Sequence, residues 1–534
     1  MPAGRAVSGG RARTRPRALK WIVGIALLAA CAPATSPRAP DAPVASPAPR
    51  PDTTRGPAYD LPRTPGEQLP VRRLVLDNGM RVLLLPRAGA PTVSFVMQFG
   101  IGGVHEEPGS TGIAHLLEHM LFKGTESIGT TDVEAERVLF RIMDERNDSL
   151  VAARARADVA RVDSLALEIA ALEDQARAFV LANEYDRILT RAGAQGLNAT
   201  TGSESTHYFV EFPANRAELY FALEADRMAN PVFREFYSER DVVMEERRMR
   251  VDTSPGGLLY EAHLRAAFRV HPYGQPVVGT MDDLRSLTRS GVSSYYRRFY
   301  GPDNAVLAVV GSFDPDRAER WARRYLGPIP GSEPAPVVEA VEPPQQGERR
   351  VDLAWDAEPL LRVGWHVPSV THADAPALAV LSSVLTGGRT SRLHRRLVTE
   401  TRAATSVFTS MGPGVKYPRL FQLDVAPIFP HTPADLEAAI YREIDQLARE
   451  GPSADEVERV RNQIAAAAVR RIQSNLGLAF QLAESEALFG DWSETFRSMD
   501  QLRSVTPDDV RRVAAQYLVA SNRTVATLAR ERSR

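Results

Sequence analysis

The chain of 534 residues has one cysteine, Cys31, so no intramolecular disulfide can brace it. Its charge is almost balanced, with 65 basic and 66 acidic residues, and no surplus of either sign points to nucleic acid. It also has little uninterrupted hydrophobic sequence. The apolar run "WIVGIALLAA" near the N-terminus holds only ten residues, too few to span a bilayer as a mature helix.

That run has a different use. Arg5, Arg11, Arg13, Arg15, Arg17 and Lys20 precede it and Cys31 follows at once, the order of a basic region and a short apolar region in an export signal. "LAAC" resembles the bacterial lipoprotein cleavage box, which implies a signal over residues 1–30 and a lipid-modified Cys31 at the new N-terminus. Acyl chains there would hold the protein to a membrane by about 0.8 kcal/mol per buried methylene. No aspartate follows Cys31, which by resemblance implies the outer membrane. Between Ala32 and Pro65 ten of 34 residues are proline. Such a segment stays extended and at about 3.1 Å per residue reaches roughly 100 Å, so residues 31–69 are expected to be the lipid-anchor cysteine and its tether.

The chemistry is concentrated in "GIAHLLEHMLFKGTE", Gly112 to Glu126. Without proline or internal glycine from Ile113 to Lys123, the stretch predicts one buried helix. His115, Glu118 and His119 fall within an arc of about 100° on it. Burying two imidazoles and a carboxylate costs several kcal/mol unless each finds a partner. His-x-x-Glu-His supplies one, because imidazoles at i and i+4 reach a single metal ion while the carboxylate reaches its open position. The order is the inverse of the commoner zinc-protease motif.

Catalytic zinc usually takes three protein ligands, so a third must lie elsewhere. "FYSERDVVMEERRMRVD", Phe236 to Asp252, predicts a second helix carrying Glu239 and Glu246 seven residues apart. Val242, Val243 and Met249 border Glu246 and argue that it points inward. Two helical turns, about 10 Å, prevent both carboxylates from binding one ion. One is a ligand and the other supports the site.

A repeat organises the chain. "LRSLTRSGVSSYYRRFYGPDNAVLAVVG" matches "LRSVTPDDVRRVAAQYLVASNRTVATLA" at a constant offset of 218, with Thr288 on Thr506 and Asn304 on Asn522. "PTVSFVMQFG" from Pro91 matches "PLLRVGWHVP" from Pro359 more weakly, at 268. The difference of 50 implies an insertion in the first half, placed in the Ala/Glu/Arg/Leu-rich run at about 131–187 and expected to form a long helical hairpin. It could be a self-packed extension without chemistry, or a surface for a partner or for gating a cleft. At the two offsets His115, Glu118, His119 and Glu246 fall on Ser383, Thr386, Gly387 and Ile464, which cannot hold zinc as a set. The expected domains are therefore 70–330 with the metal and 349–534 without it. The Pro- and Glu-rich stretch 331–348 links them.

Together with "LNATTGSESTHYF", "ERDVVMEE", "HPYGQPVVG" and "NAVLAVVG", the motif makes the chain from about Leu74 onward resemble M16 peptidases, the group of pitrilysin and the mitochondrial processing peptidase, and most of all their bacterial processing-peptidase-like branch. The resemblance implies two homologous α/β (α+β) domains forming half of a clamshell, one zinc per chain, and a zinc endopeptidase acting on peptides or unfolded protein segments. It assigns His115, His119 and Glu246 as ligands, Glu118 as the catalytic base and Glu239 as the supporting carboxylate. It places substrate along the strand bearing Asn198 and Ala199, in a motif continuing to Thr201, Glu204 and Tyr208. Active relatives also use an arginine and a tyrosine from the facing half. Here Val398 and Thr405 occupy those positions, so the resemblance implies a second M16-like subunit supplying the pair, or a homodimer. The alternative is a non-catalytic assembly subunit, like those relatives that keep the fold and lose the metal.

Overall fold

The computed structural model describes residues 69–530. The export signal, Cys31 and nearly all of the tether lie outside the described residues. Eleven strands form two sheets: β1 (Arg72–Val75), β2 (Arg81–Pro86), β3 (Thr92–Phe99), β4 (Gln195–Thr201), β5 (Thr206–Pro213) and β6 (Ala305–Gly311) in the first, and β7 (Arg349–Trp355), β8 (Leu360–Val367), β9 (Ala404–Gly412), β10 (Arg419–Pro427) and β11 (Arg523–Arg530) in the second. The first sheet runs β1-β2-β6-β3-β5-β4 and the second β7-β11-β8-β10-β9. Each has one parallel pair, β2 with β6 and β7 with β11, and is otherwise antiparallel. Apart from β1 the two topologies coincide, and the sequence repeat is thus a repeat of fold.

The halves exchange a helix. Pro255–Ala267 from the first half lies on the second sheet, where Leu259 packs with Ala526 and Leu528 and His263 Nε2 donates to the Thr524 carbonyl at 3.2 Å. Gly364 makes room for it, since a Cβ there would come within 2.5 Å of the His263 ring. Asn475–Phe489, its counterpart at the offset of 218, lies on the first sheet, packing Leu478, Ala479, Leu482 and Ala483 against Leu83, Leu85, Val96, Val306, Ala308 and Val310. The opposite face carries Val82, Leu84, Leu307 and Val309 into the main core. β6 is apolar throughout because both of its faces are buried.

Residues 331–348 have no regular structure but are pinned along their course: Asn304 Nδ2 donates to the Glu333 carbonyl, and one Glu342 oxygen accepts from the backbone N–H groups of Arg269, Val270 and His271. A second cross-link is Glu204, which accepts from the N–H groups of Val415 (3.0 Å) and Lys416 (2.8 Å) and from the Tyr273 hydroxyl.

The insertion is a helical hairpin, Val133–Ala155 and Val159–Arg177, capped by Asp132 and Asp158. It is more than self-packed. Phe140, Met143, Leu150, Leu165, Ile169 and Ala176 join the first core. Asp144 pairs with Arg289, and Glu173 accepts from the Ser238 N–H on the helix Phe236–Arg247.

Candidate metal centre

The His-x-x-Glu-His helix spans Ile113–Met120, three residues shorter than the expected stretch to Lys123. Gly124 adopts φ +97°, and Arg234 takes the carbonyls of Lys123, Thr125 and Ile128, diverting the chain from helical bonding. The N-terminus of the helix is held by Glu106, which accepts from the N–H groups of Gly112 (2.8 Å) and Ala114 (2.9 Å), and is pressed against Val278 and Gly279. Gly279, at φ +82°, is needed there because a Cβ would fall 2.3 Å from the Thr111 carbonyl. The glycine ending "HPYGQPVVG" is thus a packing requirement of the motif helix.

The second helix is α-helical over Phe236–Arg247 and continues as a π-helical turn, Arg248–Asp252. One inference from its apolar pattern is corrected. Val243 is buried, but Val242 and Met249 are 50% and 61% exposed, because the helix packs on one side only and those two side chains leave on the other. The inward aim of Glu246 rests instead on the groups it faces.

Those groups are both histidines. Glu246 Oε2 lies 3.3 Å from His119 Nε2 and Oε1 lies 3.7 Å from His115 Nε2. Tetrahedral zinc, with donors at ~2.0–2.1 Å, separates neighbouring donors by about 3.3–3.4 Å. His115, His119 and Glu246 offer ligand atoms all within 4.8 Å of one another, and no other such group occurs among the described residues. The donor set and its spacing fit zinc.

Glu239 stands behind it. His119 Nδ1–H donates to Glu239 Oε1 at 2.9 Å, which turns Nε2 toward the ligand set, and Lys123 pairs with the other Glu239 oxygen. Burial alone would raise the Glu239 pKa, but His119 and Lys123 bring it down to about 2. Burial likewise opposes charge on His119, yet its bonds to Glu239 and Glu246 lift it to about 9, whereas burial lowers His115 to about 4. Glu246, which faces both imidazoles, would be the anionic member of a divalent-cation site. Glu118 is pushed upward by burial and is held by the Thr201 hydroxyl, which donates to Oε2.

Thr201 ends β4, one of the two edge strands of its sheet. Asn198 is exposed on that strand and its Oδ1 accepts from the Ala199 N–H at 2.9 Å. The other two residues of the strand motif face elsewhere: Glu204 is the cross-link to the second half, and Tyr208 is buried against Phe99 and Phe122 with Arg227 over its ring. At the corresponding place in the second half, Ser382, Thr386 and Thr409 form a hydroxyl cluster, with the Ser382 and Thr386 oxygens each 2.6 Å from Thr409 Oγ1. Val398 packs against the second core and Thr405 Oγ1 donates to the Ala426 carbonyl at 3.3 Å.

Sequence reasoning missed the contacts of Thr201, Lys123 and Glu106. Lys123 had a signal, standing four residues after His119 within the motif; the other two depend on how the chain turns back onto the motif helix.

The model of the Insulinase (Peptidase family M16) domain matches residues 81–137 and 180–281, and that of the Peptidase M16 inactive domain matches 286–464. The hairpin occupies the interval between the first two blocks. The chain is 28% identical over 345 residues to the zinc protease PqqE of Helicobacter pylori, a match covering 63% of this chain and 65%, just under two thirds, of that protein. Its fold is similar to the crystal structure of a protease from Helicobacter pylori, with a TM-score of 0.73 and 23% identity over 86% of this chain and all of that one. It also matches the periplasmic protease PqqL from Escherichia coli, at a TM-score of 0.63 and 17% identity, where 86% of this chain corresponds to only 47% of that one. With its two halves matched by models of that family and its fold shared with solved members, the chain belongs to the M16 peptidase family.

Proposed function

We propose that this protein is a zinc-dependent endopeptidase that hydrolyses peptide bonds in peptides or unfolded protein segments. The observation that carries the proposal is the convergence of His115, His119 and Glu246 beside a Glu118 carboxylate fixed at the end of an open edge strand. His115 Nε2, His119 Nε2 and Glu246 would hold the zinc. When bound, the ion acts as a Lewis acid, polarising the scissile carbonyl and lowering the pKa of water.

The chain's own residues do the rest. Thr201 occupies Oε2 of Glu118, leaving Oε1 to take the proton of the attacking water and later pass it to the leaving amine. Partial burial raises the proton affinity of that carboxylate, which suits a group that must accept a proton and then release it. Glu239 keeps the His119 ring turned. An extended substrate would pair with β4 through its backbone near Asn198 and Ala199, an interaction that reads little side-chain sequence.

The fold corresponds to about half of PqqL. This supports pairing with a second M16-like subunit that closes the chamber and brings the Arg/Tyr pair, with a homodimer as the other arrangement. The basic and apolar N-terminal pattern supports export and attachment of Cys31 to a bacterial membrane, the outer one by resemblance. As a non-catalytic assembly subunit the chain would have no need of this intact ligand set.

Metal analysis and a peptide-library assay test the reading. The wild type is expected to carry about one zinc and cleave peptides, Glu246→Ala to lose the zinc, and Glu118→Gln to keep it while turnover drops by about 10²–10⁴. Near-normal turnover in Glu118→Gln would remove that residue from its role.

A further inference from the structure

Arg250 stands four residues beyond Glu246, on the π-helical turn Arg248–Asp252. Its Nη1 is 2.7 Å from Glu246 Oε1, the oxygen that also faces His115 Nε2. The arginines beside it are committed elsewhere: Arg247 is buried, donating to Glu261 and to the Gly279 carbonyl, and Arg248 pairs with Glu245. Among the described residues Arg250 pairs with no carboxylate other than Glu246, and its side chain is 48% exposed where His115 and Glu246 are 8% and 14%. It is therefore a solvent-accessible cation at the outer rim of the ligand set.

A guanidinium has five N–H donors in a rigid fork, so one can remain on Glu246 while another points away. Electron donation from Glu246 to a metal ion would also loosen its hold on the arginine. We infer that Arg250 is a catalytic residue, its guanidinium donating a hydrogen bond to the scissile carbonyl oxygen as negative charge develops there. This rests on the peptidase reading. As the water oxygen bonds to the carbonyl carbon, the carbonyl π pair moves onto oxygen, and Arg250 stabilises that charge without giving up its proton. When the pair returns and the C–N bond breaks, the amine leaves with the proton carried by Glu118. Any cation brought by a partner subunit would add to this one.

Two readouts on the full zinc-loaded protein test the inference. In Arg250→Gln, kcat is expected to fall about 100- to 1,000-fold, the loss seen when a preorganised oxyanion donor is removed, with KM and zinc content unchanged and partial recovery in Arg250→Lys. In a Glu118→Gln background, Arg250→Gln is expected to weaken binding of a phosphonate peptide, whose tetrahedral anion stands for the developing charge, by a similar factor while leaving binding of the matching amide peptide unchanged. Turnover within a few-fold of wild type overturns the inference, as does loss of zinc in parallel with activity, which would make Arg250 only a support for Glu246. Equal weakening of both ligands overturns it too. If the zinc-loaded wild type cleaves no peptide, with or without a homologous subunit, the peptidase reading falls and this inference with it; an active wild type beside an unaffected Arg250→Gln removes this inference alone.

Discussion

Glu239 offers the cleanest test of how the metal centre is built, because it touches a ligand without being placed to bind the ion itself. Its Oε1 accepts from His119 Nδ1 at 2.9 Å, and its side chain is only 13% exposed, so solvent screens the bond little. Glu239→Gln keeps the volume and an acceptor oxygen but removes the charge that raises the basicity of Nε2; Glu239→Ala removes both. Such supporting carboxylates typically contribute 10- to 100-fold to metal affinity, about 1.4–2.7 kcal/mol. We expect Gln near the lower figure and Ala near the upper. Lys123 bonds the same carboxylate and would be left with Glu235 at 3.4 Å. Lys123→Met should therefore weaken zinc by less than either. The assay is competition with a chromophoric chelator at fixed pH. Thermal unfolding checks it independently, since a hundredfold weaker site loses about 2.7 kcal/mol of zinc-dependent stabilisation at saturating metal. A zinc Kd within twofold of wild type in Glu239→Ala would refute the coupling of Glu239 to the ligand set.

Three further outcomes are expected. His105, His207 and His263 are buried, and desolvation lowers their pKa values to about 4, 4 and 3; their unfolded forms bind protons near 6.5, so stability is full above that pH and falls as pH drops toward 3–4. Between pH 6.5 and 5.5 each contributes a loss of roughly 1 kcal/mol, and His207→Gln should flatten the urea-midpoint profile, whereas an unchanged slope would mean that this histidine is hydrated in the folded protein. Glu204→Ala strands the Tyr273 hydroxyl, on a residue buried at the junction of the halves, and should cost about 1–3 kcal/mol in denaturant titration, the Val415 and Lys416 N–H groups being free to bond water. Cys31→Ser should release the protein from membranes in a fractionation experiment, since a serine oxygen cannot form the lipid thioether; retention with unchanged mass would place the anchor elsewhere.

Much of the centre was legible because its ligands are anomalies in their own segments. His115, Glu118 and His119 are polar groups on an otherwise apolar helix, whose burial requires partners, and Glu246, Glu239 and Thr201 supply them. Glu246 was legible from a different kind of signal, its position seven residues after another carboxylate on one helix face. Its apolar neighbours were no guide to its direction, since Val242 and Met249 face solvent. A helix packed on one side has two flanks, and a hydrophobic residue on the outer flank looks the same in sequence as one on the inner. Arg250, four residues beyond Glu246, had the same local spacing as Lys123 after His119, but an acid–base pair at that spacing reads equally well as a solvated ion pair on a helix face.

The repeat was legible, but its consequence was not. Offsets of 218 and 268 show two copies of one unit, and nothing in either copy says that each lends a helix to the other. The clue lies in β6, whose seven residues "AVLAVVG" are all buried. A strand of an antiparallel sheet with one wet face would alternate. One that does not alternate needs a cover on both sides, and the first half has helices of its own for only one of them. The second cover, Leu478 to Ala483, comes from more than 160 residues further along the chain. Because the half that carries His115, His119 and Glu246 has one sheet face covered by a helix of the other, loss of the second half would expose Leu83, Val96, Val306 and Val310 to water, whether or not that half touches substrate.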